Sequence, residues 1–208
     1  MISAMEQIKM DNMKLTLIIP LFLLLLACGK SDYERAMEAY AAADYGSAYE
    51  QFLNLAEIND ADAQGMLGVM YDKGQGVEQD FKKAADWYMQ AADKGLASAQ
   101  IRLAQFYARG LGVKRDYWQA MKWSRRSAVQ GNAEAETNMG YMYHDGIGVR
   151  QNYIKALKWY KKAAAKGWVY AEHNLGVMYQ NGRGVETDYE RAMQWYRKAA
   201  ERGFIPSQ

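Results

Sequence analysis

Between residues 153 and 166 the apolar side chains Tyr153, Ala156, Leu157, Tyr160, Ala163 and Ala164 recur at spacings of three and four, with lysines between them. That period predicts an amphipathic helix, apolar on one face and charged on the other. A second helical pattern follows over about Val169 to Gln180, carrying Ala171, Leu175, Gly176 and Tyr179. Its small residues let two helices approach closely, while the tyrosine is large enough to fill the gap to a neighbouring unit.

The two patterns recur. Four loops, Gly74-Gln75-Gly76-Val77, Gly110-Leu111-Gly112-Val113, Gly146-Ile147-Gly148-Val149 and Gly182-Arg183-Gly184-Val185, stand at a constant spacing of 36 residues. Other columns keep the step: Tyr71, Tyr107, Tyr143, Tyr179; Asp80, Asp116, Asn152, Asp188; Trp87, Trp123, Trp159, Trp195; Ala63, Ala99, Ala135, Ala171. The first glycine of each loop suits the left-handed residue that ends a helix, the second permits a sharp turn, and the valine returns to the core. The Asp or Asn six residues after that first glycine is placed to cap the next helix, here called A; the helix that ends at the loop is B. Each large side chain contributes roughly 1.5 to 3 kcal/mol when buried, and much of that burial is against the next unit, so a single unit should not fold alone.

Ahead of the repeats, Lys14 precedes an apolar run from Leu15 to Ala27, too short to span a bilayer as a helix but suited to the core of an export signal. Leu25-Leu26-Ala27-Cys28 resembles the lipobox of bacterial lipoproteins, in which the cysteine is acylated and becomes the first mature residue. Residues 1–27 are therefore expected to be a lipoprotein signal peptide, 28–43 an anchor, short linker and capping helix (the lone helix Tyr33 to Ala42), and 44–208 the repeats, four full and a partial fifth. The competing reading is an inert thiol beside a plain secretory cleavage site. Acyl chains at about 0.8 kcal/mol per buried methylene would hold the chain on a membrane. Gly29 stands where inner-membrane retention usually calls for Asp, so the resemblance implies the outer membrane, facing the periplasm. The charge is uneven: residues 28–80 hold three basic and eleven acidic side chains, net −8, whereas 81–208 hold twenty-one and eleven, net +10.

The repeat pattern closely resembles the Sel-one-like family, a 36-residue relative of the tetratricopeptide repeat. The resemblance implies an all-α, right-handed α-solenoid of helix-turn-helix repeats (an α/α superhelix), with A helices on the concave side, working as a non-catalytic protein-protein interaction scaffold. The first unit departs from the pattern, with Gln51 at the Trp column and Asn59 where Gly95, Gly131 and Gly167 stand, as suits a terminal cap. At the other end, a helix over Tyr189 to Arg202 with no B helix after it would leave an apolar face partly bare.

Catalytic chemistry is scarce. His144 and His173 are the only histidines, and Cys28 the only cysteine. His144 reads as a solvated residue near a helix C-terminus and His173 as a packing or semi-exposed one. No metal-binding, phosphate-loop or nucleophile motif is complete, so no cofactor and no metal are expected. Gly29-Lys30-Ser31 lacks the glycine that a phosphate loop needs. Relatives linked to β-lactam hydrolysis carry a disulfide in each repeat, which this chain lacks. A β-lactam or peptidoglycan hydrolase remains the enzyme alternative, and a surface protein binding host factors a further one. Some exported members of the family are immunity proteins against periplasm-directed phospholipase toxins of type six secretion systems, which gives the scaffold one specific form.

Partner specificity should lie in exposed columns. One stripe along the A helices runs through Lys122, Arg126, Lys155, Lys158, Lys162, Arg191 and Lys198, and would make a concave groove basic toward the C-terminus. Such a groove would attract a protein with an acidic surface, a secreted toxin or envelope protein, and not nucleic acid in an exported chain. Trp118 and Trp168 stand in columns that are not aromatic elsewhere among the full repeats and are the expected interface anchors.

Overall fold

The computed structural model describes residues 30–204; the expected signal segment and Cys28 lie outside them. Ten helices follow in order: α1 (Asp32–Ala41), α2 (Tyr45–Glu57), α3 (Ala61–Lys73), α4 (Phe81–Asp93), α5 (Ala97–Arg109), α6 (Tyr117–Val129), α7 (Ala133–Asp145), α8 (Tyr153–Ala164), α9 (Val169–Asn181) and α10 (Tyr189–Glu201). No strand occurs among the described residues. The fold is an all-α solenoid. Its even-numbered helices are the A helices of the sequence pattern; α3, α5, α7 and α9 are the B helices.

The helix ends follow from the repeated columns. Asp80 accepts from the Lys82 and Lys83 amides at 2.9 and 3.0 Å, Asp116 accepts the equivalent pair on α6, and Asn152 and Asp188 each accept one amide at the starts of α8 and α10. Gly74, Gly110, Gly146 and Gly182 end α3, α5, α7 and α9 with φ between 64° and 75°. The second loop glycine does more than turn the chain. A Cβ on Gly112 would lie 2.1 Å from the carbonyl oxygen of Phe81, so the loop backbone rests directly on the start of α4 and leaves no room for a side chain. Asn59 adopts the same left-handed conformation, φ 70°, as the glycines of its column.

The most extensive packing joins each B helix to the A helix after its glycine loop: α3 to α4, α5 to α6, α7 to α8, α9 to α10. The reason is a ring in a notch. Tyr88, Tyr160 and Tyr196 lie against Gly68, Gly140 and Gly176, where a Cβ would sit 2.5 Å from ring carbons. The structural unit is thus B followed by A, half a period out of step with units started at the Asp or Asn caps. Periodicity has no origin of its own, and the hairpin supplies it. α3 also approaches α5 directly, and no two A helices approach each other as extensively.

Between units, the Tyr column fills the seam as its size suggested. Tyr71 meets Tyr49 edge-on at 6.0 Å, with the hydroxyls 2.8 Å apart, and burial with that hydrogen bond pushes Tyr49 up to about 12. Leu157 on α8 is buried in the core, whereas the equivalent Met193 on α10 is 63% exposed.

A second inter-unit device is polar. Gln64, Gln100, Glu136 and Glu172 form a buried column on the B helices. Lys94, Gln130, Lys166 and Arg202, at the ends of the A helices, reach them: Lys94 Nζ to Gln64 at 2.8 Å, Gln130 to Gln100 at 2.8 Å, Lys166 to Glu136 at 2.8 Å and Arg202 to Glu172 at 3.3 Å. The same arms donate to backbone carbonyls one unit back, on Asn59, Gly95 and Gly131. Lys94, Gln130 and Lys166 therefore each pin their own B helix and the preceding turn together, while Arg202 holds Glu172 alone.

Candidate partner-binding surface

The A helices place their basic side chains over aromatic rings in two repeating rows. Arg126, Lys162 and Lys198 stand over Trp123, Trp159 and Trp195 at 4.6, 4.5 and 4.5 Å, one helical turn further along. Lys83, Lys155 and Arg191 stand over Tyr71, Tyr143 and Tyr179 at 5.2, 5.3 and 5.8 Å, on the B helix just before each. Such contacts contribute about 0.5–1 kcal/mol at exposed sites and restrict long side chains while leaving their charge in water. The stripe lies on the A helices and along their seams with the B helix before each.

Around α6 the stripe becomes a site. Trp118 is 63% exposed, and Lys122 lies between it and Trp123, at 5.8 and 5.4 Å. Trp118, Met121, Lys122, Arg125 and Arg126 line an open cavity of about 410 Å³. Helical spacing of three, four, seven and eight from Trp118 brings these five onto one face. Met121 and Arg125 are members that the stripe did not include; the spacing from Trp118 was the signal that could have found them. Arg126 has an exposed ion pair at 3.9 Å with Asp93 at the end of α4. On α8, Lys158 and Lys162 are exposed and extend the same charge, with Ile154, 59% exposed, in the column of Trp118.

Trp168 does not join this surface. It stands at the N-cap of α9, half-buried, and begins an aromatic chain: Trp168 to Tyr170 at 6.0 Å, Tyr170 to Phe204 at 5.6 Å, Phe204 to His173 at 4.5 Å, His173 to Tyr196 at 5.4 Å. Burial holds His173 below its ordinary pKa, in keeping with a packing residue. His144 is not the solvated residue expected. Its Nδ1 is bonded to Asp145, and its Nε2 lies 2.8 Å from the Arg183 guanidinium, which can only donate, so Nε2 is the acceptor. The loop of the last hairpin is thereby tied to α7. No His, Cys, Asp and Glu cluster fit for a metal occurs among the described residues, and no described helix is long and apolar enough to cross a membrane.

Stacked hairpins of one length, locked by glycine notches and presenting side-chain rows, define a helical-repeat binding protein. The Sel1 repeat model matches residues 61–96, 97–132, 133–168 and 169–204, and the chain belongs to that family. The matched units begin at α3, α5, α7 and α9, the hairpins that the packing defines. Among solved structures, a Sel1 repeat protein from Oxalobacter formigenes is 38% identical, with TM-score 0.79, over 84% of this chain and 70% of its own. A protective antigen present in uropathogenic Escherichia coli strains, with an SLR fold, is 33% identical at TM-score 0.77 over 83% of this chain and 38% of its own. An immunity protein from Pseudomonas aeruginosa shares the fold at 21% identity and TM-score 0.53, over 81% of this chain and 65% of its own. A comparison with curated protein sequences gives no significant match. As a Sel1 repeat protein, the chain is a protein-interaction scaffold.

Proposed function

We propose that the exposed face of α6 and α8 holds a protein partner with an acidic surface, in a chain tethered to the cell envelope through lipid on Cys28. One observation carries the partner's chemistry. α6 and α8 together bear seven Lys and Arg residues and no Asp or Glu. A face of one sign steers an oppositely charged partner and speeds its association, an effect that salt weakens. Crosslinking in intact cells followed by pulldown should capture that partner. Exchange of Lys122, Arg126, Lys158 and Lys162 for Glu should abolish capture; undiminished capture at low salt would remove this face from the function.

The anchor has its own test. Cys28→Ala should release the protein from the membrane fraction, and a variant that stays there sinks the tether. The specific form implied by the family resemblance is neutralisation of a periplasm-directed phospholipase toxin. Cells exposed to such a toxin should survive with the chain and die without it, and equal survival in both discards that form.

A further inference from the structure

The reading of the α6 and α8 face as a docking surface leaves open how a partner is recognised there. Resting on that reading, we infer that the ligand is an acidic polypeptide segment that inserts one large apolar side chain between Trp118 and Met121, with its flanking carboxylates on Lys122, Arg125 and Arg126. The cavity of about 410 Å³ has apolar walls and a wholly cationic rim. Its volume falls in the range of pockets that enclose small ligands, about 300–1,000 Å³, so it suits one side chain rather than an extended apolar surface.

Two features make it a built site rather than a bare charged face. Lys122 stands between two indoles, and Arg126 is held over Trp123 and beside Asp93, so both cations are positioned before any partner arrives. Preorganised guanidinium groups bind carboxylates through paired N–H donors, with less ordering cost at the moment of binding. The next A helix lacks the pit. In α8 the residue equivalent to Met121 is Leu157, which is buried at 7% exposure, and Ile154 replaces the indole. α8 therefore continues the charge without a second anchor point. A bilayer of anionic lipid would use the charge of both helices, and Trp118 and Ile154 alike. A segment with one anchor uses Trp118 alone.

Binding to the purified full chain tests this by fluorescence anisotropy, with a labelled glutamate-rich decapeptide containing one central Phe as the probe. The same peptide with Ala at that place and phosphatidylglycerol vesicles are run beside it. The Phe peptide should bind about tenfold tighter than the Ala peptide, as expected when one large apolar side chain is taken partly out of water. Trp118→Ala should remove that difference and keep the weaker, salt-sensitive binding. Arg125→Gln with Arg126→Gln should weaken both peptides and flatten the salt dependence. Trp118 is exposed, so unchanged thermal unfolding will show its variant folded. Equal binding of the two peptides, or a Trp118→Ala variant that still prefers Phe, overturns the anchor and leaves the acidic-partner reading standing. Failure of both peptides at low salt overturns both readings. Vesicle binding that needs Trp118, without peptide binding, assigns the face to a membrane surface instead.

Discussion

The second and third Sel1 repeats, 97–132 and 133–168, have the same length and the same helices, yet their interiors differ. In the third, Tyr160 fills the notch at Gly140, and a buried carboxylate, Glu136, is held by Lys166. In the second, the ring is gone: Ser124 takes the tyrosine's place, Ala104 takes the glycine's, and Asn138 donates to the Ser124 hydroxyl at 2.7 Å. Phe106 contributes a ring to this part of the stack, edge-on to Tyr88 at 5.3 Å. The polar pin becomes Gln100 with Gln130, both neutral. A repeat thus fixes where a contact is made and leaves open which chemistry makes it, provided both partners change together.

The largest expected effect comes from breaking the charged pin. Glu136 is buried, its Oε2 has no hydrogen-bond partner, and Lys166 is its cation. Removal of one member of a buried pair costs about 3–5 kcal/mol; because Lys166 is partly in water, Lys166→Ala should cost near the lower end in chemical unfolding. A loss as small as that of Gln130→Ala, about 1 kcal/mol for a neutral hydrogen bond, would erase the distinction between the two repeats.

Next comes the notch. Gly140→Ala forces a Cβ to 2.5 Å from the Tyr160 ring and should cost about 1–3 kcal/mol as overpacking does. If the second repeat is a true alternative solution, adding Tyr160→Ser should relieve the clash, so that the double variant loses less than the sum of the singles. Strict additivity in a double-mutant cycle would refute the coupling. A smaller effect is expected for Glu136→Gln, which copies the Gln64 and Lys94 pin of the first repeat and keeps an acceptor for Lys166, so its unfolding midpoint should stay within about 0.5 kcal/mol of the parent.

The smallest effect is one of pH, confined to the last repeat. Burial holds folded His173 below its ordinary value of 6.5, so the unfolded chain takes up the proton first. That contribution to stability is complete above the ordinary value and is lost as the pH falls below it. His173→Phe should flatten the dependence in thermal unfolding between neutral and mildly acidic pH, and an unaltered slope would free His173 of the role.

The columns that repeat one residue type were legible from the sequence: glycine loops, Asp and Asn caps, and seam tyrosines each have one physical task, and the structure gives each that task. The pins were not read. Their columns mix Gln with Glu, and Lys with Gln and Arg, so they resemble variable surface positions until the separation of thirty residues brings them together. The basic stripe was legible as a stripe, whereas the hairpin it belongs to was not, since a constant period does not say which helix opens the unit. Trp118 stood out as an exposed indole, and its partners Met121 and Arg125 emerged only with the cavity. Trp168 looked the same in sequence, yet Tyr170 beside it draws it into a different cluster. Cys28, the expected site of lipid attachment, lies outside the described residues.

The contact of Gly112 with the Phe81 carbonyl sets a rule for how such a chain can change length. One residue added between the helices would move the loop off the backbone it rests on and turn every later hairpin out of register. Thirty-six added together would keep the register and bring the new loop glycine back onto a helix start. Growth by duplication of whole units is therefore tolerated where the smallest insertion is not, and binding surfaces can be gained or lost a unit at a time.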